Sequence, residues 1–291
     1  MTDGKCLLVR QDLDVESEFG SHEPDVASRL VWKLTTHRAL GSGTRRRIRT
    51  LLARRFPGPF DISVDGIRIR AYPLENYCDR IVMGRQHLPE IPERALITPL
   101  LKPGMVFVDI GANIGTYSLF VANRCGDQAR ILALEPHPAT YSKLAYNVRA
   151  NGYAAIETIN QGVGPQKGRL RLFSSGGSNI GTASMVPEAV DRKHQVDIEV
   201  VPLGDLLNSR MIERVDLLKI DIEGFEDRAL LPLMTPQNRA LWPGAILIET
   251  VLRQHWQTDC IARLISLGYS MSGDTGENLL LLHPMTEKLE S

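Results

Sequence analysis

Apolar and polar positions divide the chain into two unequal parts. From residue 96 onward, apolar runs at 106–110, 130–134, 215–221 and 245–250 have the length and side-chain types of buried strands, and 154–161 reads as a further strand. The stretches between them carry helical spacing, as at 116–124, 138–150 and 261–267. Strand-helix alternation of this kind predicts an α/β architecture with a doubly wound, mostly parallel sheet. Two more strand-like segments, 269–272 and 278–283, close that sheet as a final pair, for seven strands. Segments 169–173 and 196–201 also read as strands. The polar, glycine-containing stretch 174–191 between them is long enough to be expected as a functional loop beside a substrate pocket.

The first 95 residues read differently. Alternation at 60–64 and 67–70 around Asp65-Gly66 predicts a β-hairpin over 60–72. A helical pattern then runs from 77 to 101, before Lys102-Pro103-Gly104 turns the chain into the strand at 106. Upstream, acidic residues at 12–25 precede an arginine-rich segment of Arg45, Arg46, Arg47, Arg49, Arg54 and Arg55, interleaved with Ile48, Leu51, Leu52 and Phe56. That segment reads as an amphipathic helix with a basic face. A solvated face paired with the acidic segment is the plainest expectation; contact with an anionic substrate, a membrane surface or nucleic acid is the alternative. The expected organisation is an N-terminal extension over 1–95, a lid or oligomerisation element, and a ligand-binding domain over 96–291.

Charge and composition narrow the partners. With 34 basic and 34 acidic residues the net charge is zero, so nothing points to nucleic acid as an obligatory partner. No window approaches the roughly 18 apolar residues of a membrane span, and the apolar run at 6–9 is too short for a signal-peptide core. Cys6, Cys78, Cys125 and Cys260 are too widely spaced for a zinc or dithiol motif, so reduced thiols in a cytoplasmic protein are expected. Homo-oligomer formation is left open.

Candidate chemistry gathers at the ends of the predicted strands. After the run at 106–110 comes Gly111-Ala112-Asn113-Ile114-Gly115, a turn of small residues opening into a helix. Its glycine spacing differs from the G-x-G-x-x-G that holds a dinucleotide pyrophosphate. Glu135 closes the second strand, at the position where a doubly wound sheet places a carboxylate for ribose hydroxyls. Asp221, Glu223 and Glu226 cluster where the fourth strand meets its helix, Glu249 ends the fifth strand, and His255-Trp256 follow.

Two of these segments resemble the FkbM family of class I S-adenosylmethionine-dependent methyltransferases. One is Val-Asp-Ile-Gly-Ala-Asn-Ile-Gly at 108–115 with Glu135-Pro136 downstream; the more specific one is Leu-Lys-Ile-Asp-Ile-Glu-Gly-Phe-Glu at 218–226. The resemblance spans roughly residues 90–285 and leaves the first 57 residues unmatched. It departs at Leu203-Gly204-Asp205, where relatives often carry Thr-Leu-Asp. It implies a Rossmann-like methyltransferase domain over 96–291 that moves a methyl group from S-adenosylmethionine to a hydroxyl of a small molecule such as a sugar or polyketide. On that reading Glu135 takes the ribose. Gly111, Ala112, Asn113 and Gly115 approach the methionine portion, whose carboxylate the following helix N-terminus favours. Asp109 bonds the amino end, and Gln161 and Gly162 border the adenine.

The reaction is a displacement by an acceptor oxygen, which must also lose a proton. Asp221 is the first candidate for base or acceptor-orienting group and is also expected beside the cofactor. Glu223, Glu249 and His255 follow. Asp221, Glu223 and Glu249 are alternatively ligands to one Mg2+. Competing readings are an RNA or other macromolecule methyltransferase using residues 45–55, and a NAD-dependent oxidoreductase on the same sheet.

Overall fold

The computed structural model describes residues 13–35, 41–174, 183–190 and 192–284. The chain opens with helices α1 (Val26–Leu34) and α2 (Ser42–Arg55), strands β1 (Phe60–Val64) and β2 (Ile67–Ala71), and helices α3 (Tyr77–Arg85) and α4 (Ile91–Ile97). There follow β3 (Val106–Ile110), α5 (Thr116–Cys125), β4 (Arg130–Leu134), α6 (Pro138–Asn151) and β5 (Ile156–Ile159). A short insertion comprises β6 (Gly162–Val163), β7 (Gly168–Ser174), β8 (His194–Val201) and α7 (Leu203–Ser209). The chain continues with β9 (Leu217–Ile220), α8 (Glu226–Leu230), β10 (Ala245–Glu249), α9 (Cys260–Ser266), β11 (Ser270–Asp274) and β12 (Asn278–Leu282).

The main sheet has seven strands in the order β11-β12-β10-β9-β3-β4-β5. Strands β5, β4, β3, β9 and β10 run parallel, and β12 is antiparallel to both of its neighbours. The chain builds outward from β3 to β5, then returns to lay β9 against the other side of β3. The sheet's direction of growth therefore reverses between β3 and β9, and the crevice at such a reversal is where open α/β sheets bind ligands.

Alternation along the strands supplies two apolar layers. Val106, Val108 and Ile110 of β3, with Leu218 and Ile220 of β9, face one core; Phe107 and Leu217 face the other. Asp109 lies opposite Lys219 in the β3–β9 register. By the period of two, both share the Phe107–Leu217 side, the layer that also takes in the β1–β2 hairpin, α5 and α6.

The N-terminal segments are bound into this second layer. Asn147 and Asn151 of α6 accept from the backbone N–H groups of Arg70 and Arg68, at 2.9 and 2.8 Å, so side chains satisfy the open edge of β2. The expected helical run over 77–101 is broken into α3 and α4, because Gln86 and Glu90 both adopt left-handed conformations around Pro89. The third strand is shorter than the expected 154–161, since Asn160 turns back to donate to the Glu135 carbonyl at 2.8 Å. Among the described residues no helix is long and apolar enough to cross a membrane.

Candidate active site

At the crevice, the loops after β3 and β9 meet backbone to backbone. Gly111 has φ +79°, and a Cβ built on it would stand 2.0 Å from the Asp221 carbonyl oxygen. Only glycine fits this approach. Lys219 holds the junction from below, donating from Nζ to the Gly111 carbonyl at 2.9 Å and pairing with Asp221 at 3.4 Å and Asp109 at 3.8 Å. Burial alone would lower the Lys219 pKa, but Asp221, Asp109, Glu90 and Glu249 outweigh it and raise the value, so the ammonium stays charged.

The rest of the loop is set by side chains from two directions. Asn113, with φ +52°, donates its backbone N–H to a Glu135 oxygen at 3.0 Å, and His137 donates its backbone N–H to the other at 2.8 Å. Asn76, the N-cap of α3, donates from Nδ2 to Asn113 Oδ1 at 2.6 Å. An N-terminal helix thus fixes the loop it faces. Burial pushes the Glu135 carboxyl up to about 7, against the lowering effect of its backbone donors.

These residues wall a cavity of about 480 Å³, its open mouth included, lined by Gly111, Asn113, Glu135, Pro136, Asp221 and Glu223 among others. Leu172, Ala183 and Met185 close it from the insertion. That wall is latched by Ser184, whose Oγ donates to the Glu223 carbonyl at 2.6 Å. Ala183 and Met185 belong to the stretch 174–191 expected beside the pocket; residues 175–182 and 191 lie outside the described residues.

The carboxylates at this edge divide by environment. Glu226 is nearly fully buried and accepts from the backbone N–H groups of Ile222 (2.9 Å) and Gly224 (3.1 Å) and from Trp256 Nε1 (2.7 Å). It organises the β9–α8 loop, in which Glu223 and Gly224 are both left-handed. Burial, with Asp221 and Glu226 nearby, raises the Glu223 carboxyl. Burial and the neighbouring Asp221 and Glu223 raise Glu249 further, to where it holds its proton at neutral pH. Glu249 Oε2 has no hydrogen-bond partner among the described residues. Asp221 is 30% exposed at its side chain, beside Lys219 at 5%.

The crevice therefore brings together Gly111, Asn113, Glu135, Asp221 and Glu223 on one cavity wall, with Glu249 against Asp221. Asp109 lies fully buried beneath the loop, accepting from Ser118 Oγ at 2.6 Å, with its other oxygen unbonded. Ala112 is buried behind the loop, and Gly115 begins α5 with φ +93°, where a Cβ would press on Leu144 at 2.8 Å. Gln161 and Gly162 follow β5, where Gly162 packs on Ile198, Val200 and Pro136 rather than lining the cavity. His255 is not among the lining residues: its backbone carbonyl accepts from Arg228 at 3.2 Å.

Sequence reading passed over Lys219, Asn76 and Glu90. Lys219 had a signal, a lone basic residue inside a buried strand run, which needs a partner. Glu90 is half-buried near Lys219 and Asp221, and its partial burial pushes it up to about 7. Its only signal is an acidic residue next to Pro89 in a helical pattern.

No group of three His, Cys, Asp or Glu side chains among the described residues is disposed to hold a metal ion. The expected Mg2+ site finds no support, and Lys219 supplies positive charge at Asp221. The residues fit S-adenosylmethionine on their own terms. Glu135 presents a buried carboxyl with acceptor capacity on the cavity wall, and the glycine loop leaves its backbone open to close approach.

A mostly parallel seven-stranded sheet with one antiparallel strand next to its edge, and a glycine loop at the reversal point, is the fold of the class I S-adenosylmethionine-dependent methyltransferases. The family model of the methyltransferase FkbM domain matches residues 109–250. The chain carries that domain. It is 28% identical over 205 residues to methyltransferase sdnD of Sordaria araneosa, covering 58% of this chain and 75% of that one. It is 30% identical over 156 residues to the 31-O-demethyl-FK506 methyltransferase FkbM of Streptomyces tacrolimicus, covering 45% of this chain and 60% of that one. The crystal structure of methyltransferase FkbM from Methylobacillus flagellatus KT aligns at a TM-score of 0.44 and 20% identity, over 62% of this chain and 44% of that one.

Proposed function

We propose that the chain is an O-methyltransferase that uses S-adenosylmethionine to methylate a hydroxyl of a small molecule of sugar or polyketide type. The observation that carries this reading is Asp221, a carboxylate on the cavity wall, beside a cation and next to the cofactor loop. The name of the relative that methylates 31-O-demethyl-FK506 supports an oxygen acceptor.

The bound cofactor supplies a sulfonium methyl open to displacement. Glu135 would accept from its ribose hydroxyls, and the loop from Gly111 to Gly115 would hold its amino-acid portion, with the buried Asp109 paired to Lys219 beneath. Asp221 accepts a hydrogen bond from the acceptor hydroxyl, orients its lone pair, and takes the proton as the new bond forms. Lys219 balances the Asp221 charge before transfer. Glu249, already protonated, does not compete as a base, and Glu223 completes the wall on the acceptor side.

The test is an incubation with hydroxylated sugars and macrolides, reading the gain of one methylene by mass spectrometry and locating it on oxygen by fragmentation. Asp221→Asn is expected to lower turnover by about 10²–10⁴-fold and to leave S-adenosylhomocysteine affinity within a few-fold of the parent. Methylation on nitrogen or carbon, or an Asp221→Asn variant that loses the cofactor and keeps its rate at saturation, would overturn the assignment.

A further inference from the structure

Helices α1 and α2 pack on α3 around a small apolar cluster of Trp32, Ala53 and Met83. They also converge on Gly84 of α3, where a Cβ would meet Thr35 Oγ1 at 2.8 Å and Arg49 Cδ at 2.9 Å. Each helix buries one side in this way and turns the other outward. On α1 the buried residues are Ser28 and Trp32, while Val26, Leu30 and Leu34, at spacings of four, are 74%, 60% and 65% exposed. Three large apolar side chains in one exposed helical stripe are a standing hydrophobic cost unless something covers them. On α2 the outward residues are Arg46, Arg47, Arg54 and Arg55, with Leu51 62% exposed between them. The helix has six arginines and no acidic residue.

The described residues of the acidic segment do not pair with these arginines. Asp14 pairs with His22 at 2.7 Å and Arg70 at 3.7 Å, and Glu23 pairs with Arg29 at 3.2 Å. Arg45, Arg46, Arg47, Arg49, Arg54 and Arg55 form no ion pair with a described carboxylate. The pairing expected from sequence is thus replaced by one that ties residues 14–23 to the hairpin through Arg70.

We propose that α1 and α2 form a docking surface for an anionic lipid bilayer, with Val26, Leu30, Leu34 and Leu51 entering the headgroup boundary and the α2 arginines meeting lipid phosphates. An apolar stripe beside a cationic helix matches both components of such a surface. A nucleic acid would leave the aliphatic stripe uncovered, since it offers no apolar acyl layer, and a second copy of this chain would bring the same uncompensated arginines together. The surface is joined to the site: α3, on which both helices rest, begins at its N-cap Asn76, the residue that holds the loop after β3 through Asn113.

The full chain is sedimented with vesicles of phosphatidylcholine alone and of phosphatidylcholine mixed with phosphatidylglycerol. Binding is expected to the mixed vesicles only and to weaken as salt is raised. Arg46→Ser, Arg47→Ser and Arg54→Ser combined should reduce partitioning by about 100-fold, and Leu30→Asp by about tenfold or more. Both variants should keep the heat-shift stabilisation by S-adenosylhomocysteine, which separates loss of docking from loss of fold. No binding to the mixed vesicles, binding unchanged by Leu30→Asp, or a stripe-dependent dimer without vesicle binding would overturn the proposal. Tight, salt-sensitive binding to RNA in place of vesicles would overturn it as well.

Discussion

The Glu135 carboxyl offers a direct test of the cofactor geometry, because its ordinary chemistry is displaced into an accessible pH range. It is 8% exposed, accepts from the backbone N–H groups of Asn113 and His137, and is pushed up to about 7 by burial. Ribose hydroxyls donate hydrogen bonds, so a ligand held by this group binds the ionised form more tightly. The binding of S-adenosylhomocysteine should then weaken as pH falls through about 7, by a factor approaching tenfold per unit. The loss levels off where the neutral carboxyl's own affinity takes over. A charge-assisted hydrogen bond is worth about 1.5–3 kcal/mol, so the total loss between about pH 8 and about pH 5 should be about 10–100-fold. Isothermal titration across that range measures it. Glu135→Gln removes the titration while keeping one acceptor oxygen. It should bind about as weakly at pH 8 as the parent does near pH 5, with a flat profile apart from any titration of the ligand itself. If parent and Glu135→Gln show the same pH dependence, Glu135 is not the ribose acceptor and the reasoning fails.

Three further outcomes follow from the same geometry. Gly111→Ala places a methyl group 2.0 Å from the Asp221 carbonyl, so both the melting temperature and the affinity for S-adenosylhomocysteine should fall; an alanine variant that keeps both would contradict the backbone contact. Asp79 is fully buried, paired with Lys143 at 3.9 Å, and pushed up to about 6 by burial. A carboxyl whose folded pKa is raised loses its stabilising contribution as pH climbs from its ordinary value through about 6, so Asp79→Asn should raise stability in denaturant titrations by up to about 3 kcal/mol at pH 8 and little near pH 4. Glu90 and Glu135 both sit at about 7; arrival of a sulfonium cation should lower both, releasing protons near pH 7. Calorimetry in buffers of differing ionisation enthalpy reads this release, and equal release by S-adenosylmethionine and by S-adenosylhomocysteine, whose sulfur is a neutral thioether, would exclude an effect of the sulfonium charge.

The centre of the sheet was readable because β3, β4, β9 and β10 are buried over most of their length and so appear as near-continuous apolar runs, each ending in or followed by a residue type that a strand interior disfavours. Gly111, Glu135, Asp221 and Glu249 are such terminators, and the parallel register sets them along one edge. Residues that act from inside an element were not readable in the same way. Lys219 lies in the middle of a strand pattern, and its role depends on standing opposite Asp109 across the β3–β9 register, a pairing known only once strand order is known. Asn76 and Glu90 come from the N-terminal region, whose packing on the second apolar layer leaves no periodic trace near residue 111. Glu226 shows how a motif can mislead about roles: three carboxylates in six residues suggest three chemical groups, but one of them spends both oxygens on Ile222, Gly224 and Trp256. What remains is one exposed acid, Asp221, and one raised one, Glu223.

That division follows from the electrostatics of a crowded edge. Asp109, Asp221, Glu90, Glu223 and Glu249 all lie near one lysine. If each were ionised, the surplus negative charge would grip a sulfonium strongly in the ground state and oppose its conversion to a neutral thioether, which gives binding without rate. Burial limits this by raising Glu223 and Glu249, so that part of the crevice's charge is replaced by protons. The carboxylate left with solvent access and a cation at 3.4 Å is Asp221. On the proposed assignment it is the carboxylate that meets the acceptor hydroxyl, and Lys219, by pairing with it, also holds the Gly111 carbonyl that shapes the glycine loop. One buried ammonium would then couple the position of the donor to that of the proposed base.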